Sequence, residues 1–590
     1  MRLSELAIRL GLEDGRAERA PDRGCPRSGG AASGAGSSGS AARVPEASAA
    51  AAAAAGGGPA PPRGRFEPGA ADPAGAEITL VTEDSREARP GALFCAFKGA
   101  RSDGRDFIPQ AAERGAAAVL CAPPDPGGRI ARLLVREDPL SRPSDAPVRA
   151  AASEAARLVC GEPDLGLLKI GITGTNGKST VSCLAGDLLR AAGRRPGLIG
   201  TVSYRFPDGS EREAPNTTPE GPVLWRTVRD MADSGADGLV MEVSSHALAM
   251  GRLGSLAFDV ALFTNLSRDH LDFHLDMEDY FLAKARLFLG RGGTLAGGPA
   301  AGAAGFCVVN ADDPWGERLL AAPGLPSLSF GFARGAVRGE LLESGRSGLV
   351  LKAACPEGGE LTIRSRLLGR FNAENLLAAA ALGLALRLPP AAVSSALSES
   401  EGAPGRLSRT GTDPDFLALI DYAHAPGALE AALEAARGLA PRRLIVIFGC
   451  GGDRDRGKRP LMGKAAAKAD VAILTSDNPR AEDPLAIIAE TEPGLAEGGM
   501  RQAAPAEAPG PQGAPEAQVP AAREGASGVY HVEPDRAKAI ALGARLMGKG
   551  DILLVAGKGH EDYQIVGRVK RHFDDAEETL KALRAEGKSA

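Results

Sequence analysis

The stretch LLKIGITGTNGKSTVSCLAGDLL, residues 167–189, decides the fold. Its apolar run Leu167 to Thr173 reads as a buried strand, which ends in Gly174-Thr175-Asn176-Gly177-Lys178-Ser179-Thr180. Val181, Leu184, Ala185 and Leu188 then recur at helical spacing. A strand, a glycine turn and a helix in that order make a parallel β/α unit. The glycines let backbone N–H groups approach phosphate oxygens, and the helix N-terminus favours anionic charge. Lys178 is then expected to reach the β- and γ-phosphates of a nucleotide, and Ser179 to ligate Mg²⁺. A strict P-loop spacing asks for glycine at position 172, where Ile172 stands, so the reading rests on the flanking strand and helix.

The same pattern recurs outward from this unit. Gly238 to Val243, Asp259 to Asn265, Arg443 to Gly449, Val471 to Thr475 and Asp551 to Gly557 are short apolar runs that close in polar or glycine-rich loops. They predict an α/β protein with parallel sheets, whose chemistry sits at the carboxyl ends of the strands. One strand end delivers Glu242 and the next delivers Asn265, Asp269 and His270. Convergence of that carboxylate and that imidazole would serve a cation bridging phosphates, whereas either group alone reads equally well as a helix cap or a surface charge.

At 590 residues the chain is too long for one core, so two to four domains are expected. Apolar residues at 44% and charged ones at 24% are an ordinary globular balance, but 77 Gly and 43 Pro indicate length spent outside packed cores. Arg16 to Ala76 and roughly Pro493 to Gly528 carry that composition and read as disordered surface inserts. A net charge of -5 offers no basic field for nucleic acid. The eight cysteines are scattered without a C-x-x-C pair and read as reduced thiols. No apolar run approaches the roughly 18 residues of a membrane span, and no export signal is read, so a cytoplasmic location without membrane contact is expected.

Taken together, the motifs resemble the Mur ligase family, and most closely its diaminopimelate-adding members. The resemblance runs from Asp84-Ser85-Arg86 to Gly557-Lys-Gly-His-Glu561 and covers the chain outside the two inserts. It is carried by Gly174 to Thr180, Asn216-Thr-Thr-Pro219, Glu242-Val-Ser-Ser-His246, Asn265 to His270, Gly369-Arg-Phe-Asn372-Ala-Glu-Asn375, Asp421-Tyr-Ala-His424, Gly451-Gly-Asp-Arg454 and Asp477-Asn-Pro-Arg480. It implies three domains: a UDP-substrate domain to about residue 160, a central ATPase sheet to about residue 401, and a Rossmann-like amino-acid domain beyond. It also implies a reaction in which ATP activates the D-Glu carboxylate of UDP-MurNAc-L-Ala-D-Glu as an acyl phosphate and an amine displaces phosphate.

By that resemblance Lys178, Glu242, His270 and Lys284 are the catalytic group. Ser179, Glu242, His270 and a carbamylated Lys284 (N6-carboxylysine) hold Mg²⁺, although residues alone would call Lys284 a solvated helix lysine. ATP is expected against Gly174, Thr175, Asn176, Gly177, Lys178, Ser179 and Thr180, with Asn375, Arg406, Asp421 and His424 around adenine and ribose. Without the family, Asn372 and Asn375 would be helix caps. Ser85, Arg86, Thr217, Thr218, Ser244 and Arg252 are expected to face the UDP-linked dipeptide. Met250 departs from the family's usual glutamine and puts one hydrogen bond there in doubt.

The incoming amino acid is assigned to Arg454, Asp477, Asn478, Pro479, Arg480, Gly557 and Glu561. The second carboxylate of meso-diaminopimelate suits a guanidinium fork, which points to Arg480, and Glu561 suits an ammonium. Asp-Asn-Pro-Arg is also a good β-turn, and one arginine does not exclude lysine or ornithine. A sister ligase on the same scaffold and a nucleotide-binding regulatory module are the rival readings. A monomer acting on small molecules is expected.

Overall fold

The computed structural model describes residues 1–14, 64–67, 75–99, 102–124, 130–138, 143–290, 292–411, 413, 415–503 and 528–588. It divides into two compact units, residues 1–337 with 385–387, and residues 338–384 with 388–590.

The first unit holds two sheets. β1 (Glu13–Asp14), β2 (Gly64–Glu67), β3 (Leu80–Thr82), β4 (Ala92–Cys95), β5 (Ala118–Cys121) and β6 (Ala131–Val135) lie in the order β1-β2-β6-β5-β4-β3. β3 to β6 pair in parallel, and β2 closes antiparallel on β6. The second sheet contains β7 (Leu168–Thr173), β8 (Pro196–Ile199), β9 (Ser203–Arg205), β10 (Glu211–Glu213), β11 (Gly238–Glu242), β12 (Val260–Phe263), β13 (Phe306–Asn310) and β14 (Ser327–Gly331). Its order is β10-β9-β8-β11-β7-β12-β13-β14, parallel from β8 to β14, with β9 and β10 added antiparallel. Helices cover both faces, which is why these strands read as unbroken apolar runs rather than alternating ones. Gly171 in β7 is required there, because a Cβ would come 2.9 Å from the Phe258 ring.

One hydrophobic cluster runs through both sheets and includes Leu93, Leu120, Leu133, Trp225, Leu239 and Phe263. Helices Ala146–Val159 and Gly221–Asp233 form the seam between them. A Cβ on Gly221 would lie 2.5 Å from the Ser153 Cβ, so the two helices touch almost backbone to backbone. Buried Trp225 Nε1 donates to Ser153 Oγ at 2.9 Å, and Arg149 links Asp145 (3.1 Å) to Glu220 (2.9 Å) while donating to the Lys98 carbonyl (3.0 Å).

The second unit begins with an antiparallel meander, β15 (Val337–Gly345, from Arg338 on), β16 (Gly348–Ala354) and β17 (Glu360–Ser365), followed by helices Arg370–Ala385 and Pro390–Glu399. Its main sheet contains β18 (Arg406–Thr410), β19 (Leu417–Asp421), β20 (Leu444–Phe448), β21 (Val471–Leu474), β22 (Arg501–Gln502), β23 (Val529–Val532) and β24 (Ile552–Ala556), with the hairpin β25 (Tyr563–Val566) and β26 (Val569–His572) beyond it. The order β18-β19-β24-β20-β21-β23-β22 inserts the last strand, β24, between β19 and β20. The connections diverge there, which opens a crevice at the strand ends. Apolar clusters on either face bury Val446, Leu474 and Leu554 on one side and Ile447, Ile473 and Leu553 on the other.

The predicted strands all form, one to three residues shorter than their apolar runs. The inserts need correction. Within Arg16 to Ala76, Gly64–Glu67 is not insert but strand β2, while most of that stretch lies outside the described residues. The second insert starts later than composition indicates: helix Pro484–Glu497 continues through Pro493, and β22 pairs with β23. The exposed Pro493 gives up one helical hydrogen bond, but Thr491, Gly494 and Leu495 are buried behind it. A Cβ on Gly494 would overlap the Pro460 carbonyl, so this helix docks closely on helix Lys458–Ala466. That tertiary contact outweighs the poor local composition.

Candidate functional site

The loop after β7 is built from backbone that only glycine adopts easily. Gly174 has φ +151° and Gly177 has φ +86°, and a Cβ on Gly174 would overlap Thr264 Oγ1. The exit of β12 buttresses the loop: Thr175 N–H donates to the Asn265 carbonyl at 2.8 Å, Asn176 N–H to Asn265 Oδ1 at 2.9 Å, and Ser267 N–H to Thr175 Oγ1 at 3.0 Å. Helix Lys178–Ala191 starts at Gly177 with no side-chain cap, which leaves its first-turn N–H groups for an anion. Lys178 folds back over the loop, its Nζ donating to the carbonyls of Gly174 (3.0 Å) and Thr175 (2.9 Å).

β11 lies beside β7 in a register that sets Glu242 opposite Ile172. The Glu242 carboxylate is 2% exposed. It accepts from Ser179 Oγ (3.0 Å), Thr201 Oγ1 (2.9 Å) and Thr201 N–H (2.9 Å). Lys284, on helix Met277–Leu289, is 1% exposed and donates to the Gly174 carbonyl at 2.8 Å. Burial, with Lys178 nearby, depresses its ammonium well below the usual lysine range. It is therefore no solvated helix lysine. His270 has φ +54° and turns its ring to 4.9 Å from His246, which stacks on Phe273 at 4.1 Å. Burial, followed by His270 and His274, pushes His246 down to about 4, so its imidazole is neutral at physiological pH.

Lys178, His270 and Lys284 line a cavity of about 240 Å³ together with Thr217, Thr218, Ser244 and Arg252. The phosphate loop and four residues expected at the dipeptide thus share one space. Thr218 Oγ1 donates to the Glu242 carbonyl (2.8 Å) and accepts from Ser244 N–H (3.0 Å). Arg252 donates to the Thr218 carbonyl (2.9 Å) and pairs with Glu220 (2.9 Å). Ser244 caps helix Ser245–Met250, so its hydroxyl also has a structural task. Ser85 and Arg86 are not in this lining: Ser85 Oγ donates to Gln110 Oε1 at 2.6 Å, and exposed Arg86 pairs with Asp84 at 2.7 Å.

Among the described residues no group of three or more His, Cys, Asp or Glu could hold a metal alone. The adjoining oxygen donors of Glu242 and Ser179, 3.0 Å apart, fit Mg²⁺, which is usually held by one or two carboxylates with phosphate and water oxygens completing its shell.

In the second unit, Asp421 ends β19 and its carboxylate accepts the Leu407 (2.7 Å) and Ala423 (2.9 Å) N–H groups. The Arg406 guanidinium lies 5.0 Å from the Tyr422 ring centre, and Tyr422 packs on His424 (4.5 Å) and His560 (4.8 Å). Flat, partly basic surfaces of this kind suit a purine. Helix Arg370–Ala385 begins before Asn372 and Asn375, so neither caps it. Both are buried, Asn375 Nδ2 donating to Asn372 Oδ1 at 3.1 Å and Asn372 Nδ2 to the Leu368 carbonyl at 2.9 Å.

The ends of β20, β21 and β24 bring together the residues expected at the incoming amino acid. Asp477 and Asn478 are buried after β21, and Gly557 (φ +120°) follows β24 with room for no side chain, since a Cβ would lie 2.5 Å from Asp477 Oδ2. Asn478 Nδ2 donates to Glu561 Oε2 at 3.0 Å. Arg480 Nη1 donates to the carbonyls of Gly452 (2.9 Å) and Asn478 (3.4 Å), while Arg454 donates only weakly to the Asp453 carbonyl (3.4 Å). Pro479 lies between Asn478 and Arg480; the Asp-Asn-Pro-Arg segment bends at Asp477 and ends in a bridge from Arg480 to Val566, without forming a hydrogen-bonded β-turn. Sequence reasoning gave no role to Thr201, His246, His274, Tyr422 and Lys558, three of which lie inside the quoted motifs. His274 is 2% exposed and joins Ser245 Oγ (2.9 Å) to Asp279 Oδ2 (3.2 Å).

Comparison with known proteins agrees with this geometry. Residues 77–150 match the Mur ligase family catalytic domain, 172–383 the Mur ligase middle domain and 405–559 the Mur ligase glutamate ligase domain. A UDP-N-acetylmuramoyl-L-alanyl-D-glutamate--2,6-diaminopimelate ligase of Geobacter metallireducens is 43% identical over 87% of this chain and 96% of its own length. The chain belongs to the Mur ligase family. A ligase of the same name from Streptomyces avermitilis is 42% identical to this Mur ligase, over 86% of the chain and 93% of its own. A solved structure of a ligase with that name superposes with a TM-score of 0.58 at 31% identity, covering 86% of this chain and 95% of that one. The three-domain α/β architecture of the family is thus that of this Mur ligase.

Proposed function

We propose that this Mur ligase uses ATP to join meso-diaminopimelate to the D-Glu carboxylate of UDP-MurNAc-L-Ala-D-Glu, a step of peptidoglycan precursor synthesis. The observation that carries the reading is the single cavity in which Lys178 and Lys284 share walls with Thr217, Ser244 and Arg252. Residues to about 160 take the UDP portion, those to about 401 the ATP, and the rest the amino acid, a division by role.

A carboxylate resists attack by an amine until one oxygen becomes a leaving group. Lys178 and the helix N-terminus balance charge while the γ-phosphoryl group passes to the D-Glu carboxylate and ADP departs. Arg252, Thr217, Thr218 and Ser244 hold the acid in place. The diamino acid amine then attacks the acyl carbonyl, phosphate leaves, and the nitrogen loses a proton to give the amide. Mg²⁺ held by Ser179, Glu242, His270 and carbamylated Lys284 would neutralise phosphate charge. Asn375, Arg406, Asp421 and His424 position adenine and ribose, and Ser85 and Arg86 meet the UDP portion.

Phosphate release that requires both the nucleotide dipeptide and a diamino acid supports this reading; release without either supports a regulatory nucleotide-binding module. A second test addresses Lys284. Burial holds its ammonium well below the usual lysine range, which favours the uncharged nitrogen that can bond CO₂ and lose a proton. Incubation with ¹³C-bicarbonate should give a carbamate resonance that weakens as pH falls, because protonation removes the nucleophile. Lys284→Met should abolish the resonance and lower kcat about a hundredfold. A mutant as active as the parent removes Lys284 from the mechanism.

A further inference from the structure

Lys558 has no role in the reaction as derived so far, yet it is 0% exposed. A lysine this deep is kept only by partners that compensate the lost hydration. Its Nζ donates to the Tyr563 carbonyl at 2.5 Å and to Asn478 Oδ1 at 3.1 Å, and lies 3.7 Å from Asp477 Oδ1 and 3.8 Å from Glu561 Oε2. Every partner is on the wall assigned to the diamino acid or on the hairpin behind it. The other buried cation nearby, Arg536, is committed to Asp575 at 2.6 and 2.7 Å and to the Ala556 carbonyl at 3.0 Å. Lys558 is therefore the cation that stands directly between Asp477 and Glu561.

The Asn478 amide receives Lys558 Nζ and Ile565 N–H (2.9 Å) at one atom. Both groups are donors, so that atom is the oxygen and the NH₂ faces the other way. One of its hydrogens goes to Glu561 and the second is available to a ligand. We propose that Lys558 is a positioning residue for the diamino acid: it holds the Asn478 amide with its donor edge outward and sets its Nζ against both the Asp477 and Glu561 carboxylates. The pocket then offers a carboxylate to the substrate ammonium and an N–H to its carboxylate. This rests on the reading of the second unit given above.

Without Lys558, the buried Asp477 and the partly buried Glu561 lose the amine that lies 3.7 and 3.8 Å from them, and the Asn478 oxygen loses a donor. The test is Lys558→Met, which keeps the length of the stem and removes the charge. Steady-state kinetics should show KM for meso-diaminopimelate raised about tenfold or more, while KM for ATP and for the nucleotide dipeptide stays within about twofold. Adding Glu561→Gln to this variant should cost less than it does in the parent, because the two act as one unit. Circular dichroism confirms that the variant folds. If it does not, Lys558→Gln keeps a donor for Asn478 and should give the same selective rise, smaller in size. A uniform change in all three KM values, or additive effects of the two substitutions, overturns the proposal and leaves Lys558 a structural residue. If the parent adds a different diamino acid, the substrate assignment fails on its own, and the same KM ratio measured with that amino acid still decides the role of Lys558.

Discussion

Lys178→Ala is expected to lower kcat about a thousandfold or more. Phosphoryl transfer leaves the protein little covalent work, so positioned charge is most of what it contributes. Lys178 stands at the first turn of helix Lys178–Ala191, and its Nζ is aimed over the loop by the Gly174 and Thr175 carbonyls at 3.0 and 2.9 Å. Alanine keeps the helix and the glycine turn but removes the ammonium that the loop's own lysine supplies. The substrate-dependent release of phosphate should vanish while the thermal unfolding midpoint barely moves. Lys178→Arg should not restore turnover, because a broad planar fork cannot take the place of a compact ammonium beside two carbonyls. Turnover retained in Lys178→Ala would remove the phosphate loop from the mechanism, and the proposed function with it.

The second large effect is expected at Arg480. Competition among meso-diaminopimelate, lysine and ornithine should favour diaminopimelate in the parent. Arg480→Ala should lower its kcat/KM about a hundredfold, with lysine nearly unaffected, because only diaminopimelate carries the carboxylate that a guanidinium holds. Arg480 is set for this by backbone. It has φ +51°, an uncommon conformation for a bulky residue, held by its N–H on the Ile565 carbonyl at 3.1 Å and its carbonyl under Gly567 N–H at 2.7 Å. Gly452 and Asn478 carbonyls anchor Nη1 and fix the plane of the fork. Unaltered selectivity in the alanine variant would take Arg480 out of amino-acid recognition.

Much of this molecule is legible along the chain because the signals are local. β7, the glycine turn and the following helix are adjacent in sequence, and each β/α unit repeats that order, so periodicity alone places the strands to within a residue or two. Glu242 and His270 stand out in the sequence because strand ends are where ligands collect. The burial of Lys284 was invisible, since a lysine on a helix gives no sign of which side the Gly174 carbonyl will be, 110 residues away in the chain. Thr201 and Tyr422 were overlooked for a related reason: a threonine after a short strand and a tyrosine between Asp421 and Ala423 have no distinctive spacing. Composition misled at Pro493, where a buried Gly494 and Leu495 hold a helix that proline and alanine content argued against.

The sequence by itself determined the parallel α/β class, the phosphate loop and the family resemblance, because these depend on neighbours within a few tens of residues and on backbone that glycine alone adopts. Only the tertiary structure decided what Lys284 and Lys558 are. Both are ordinary lysines in the chain, and each becomes a buried, partnered amine when distant parts of the sequence close around it and strip away its water. Charge in a protein is set by the dielectric and partners that folding supplies, and those are properties of the assembled space rather than of the residue.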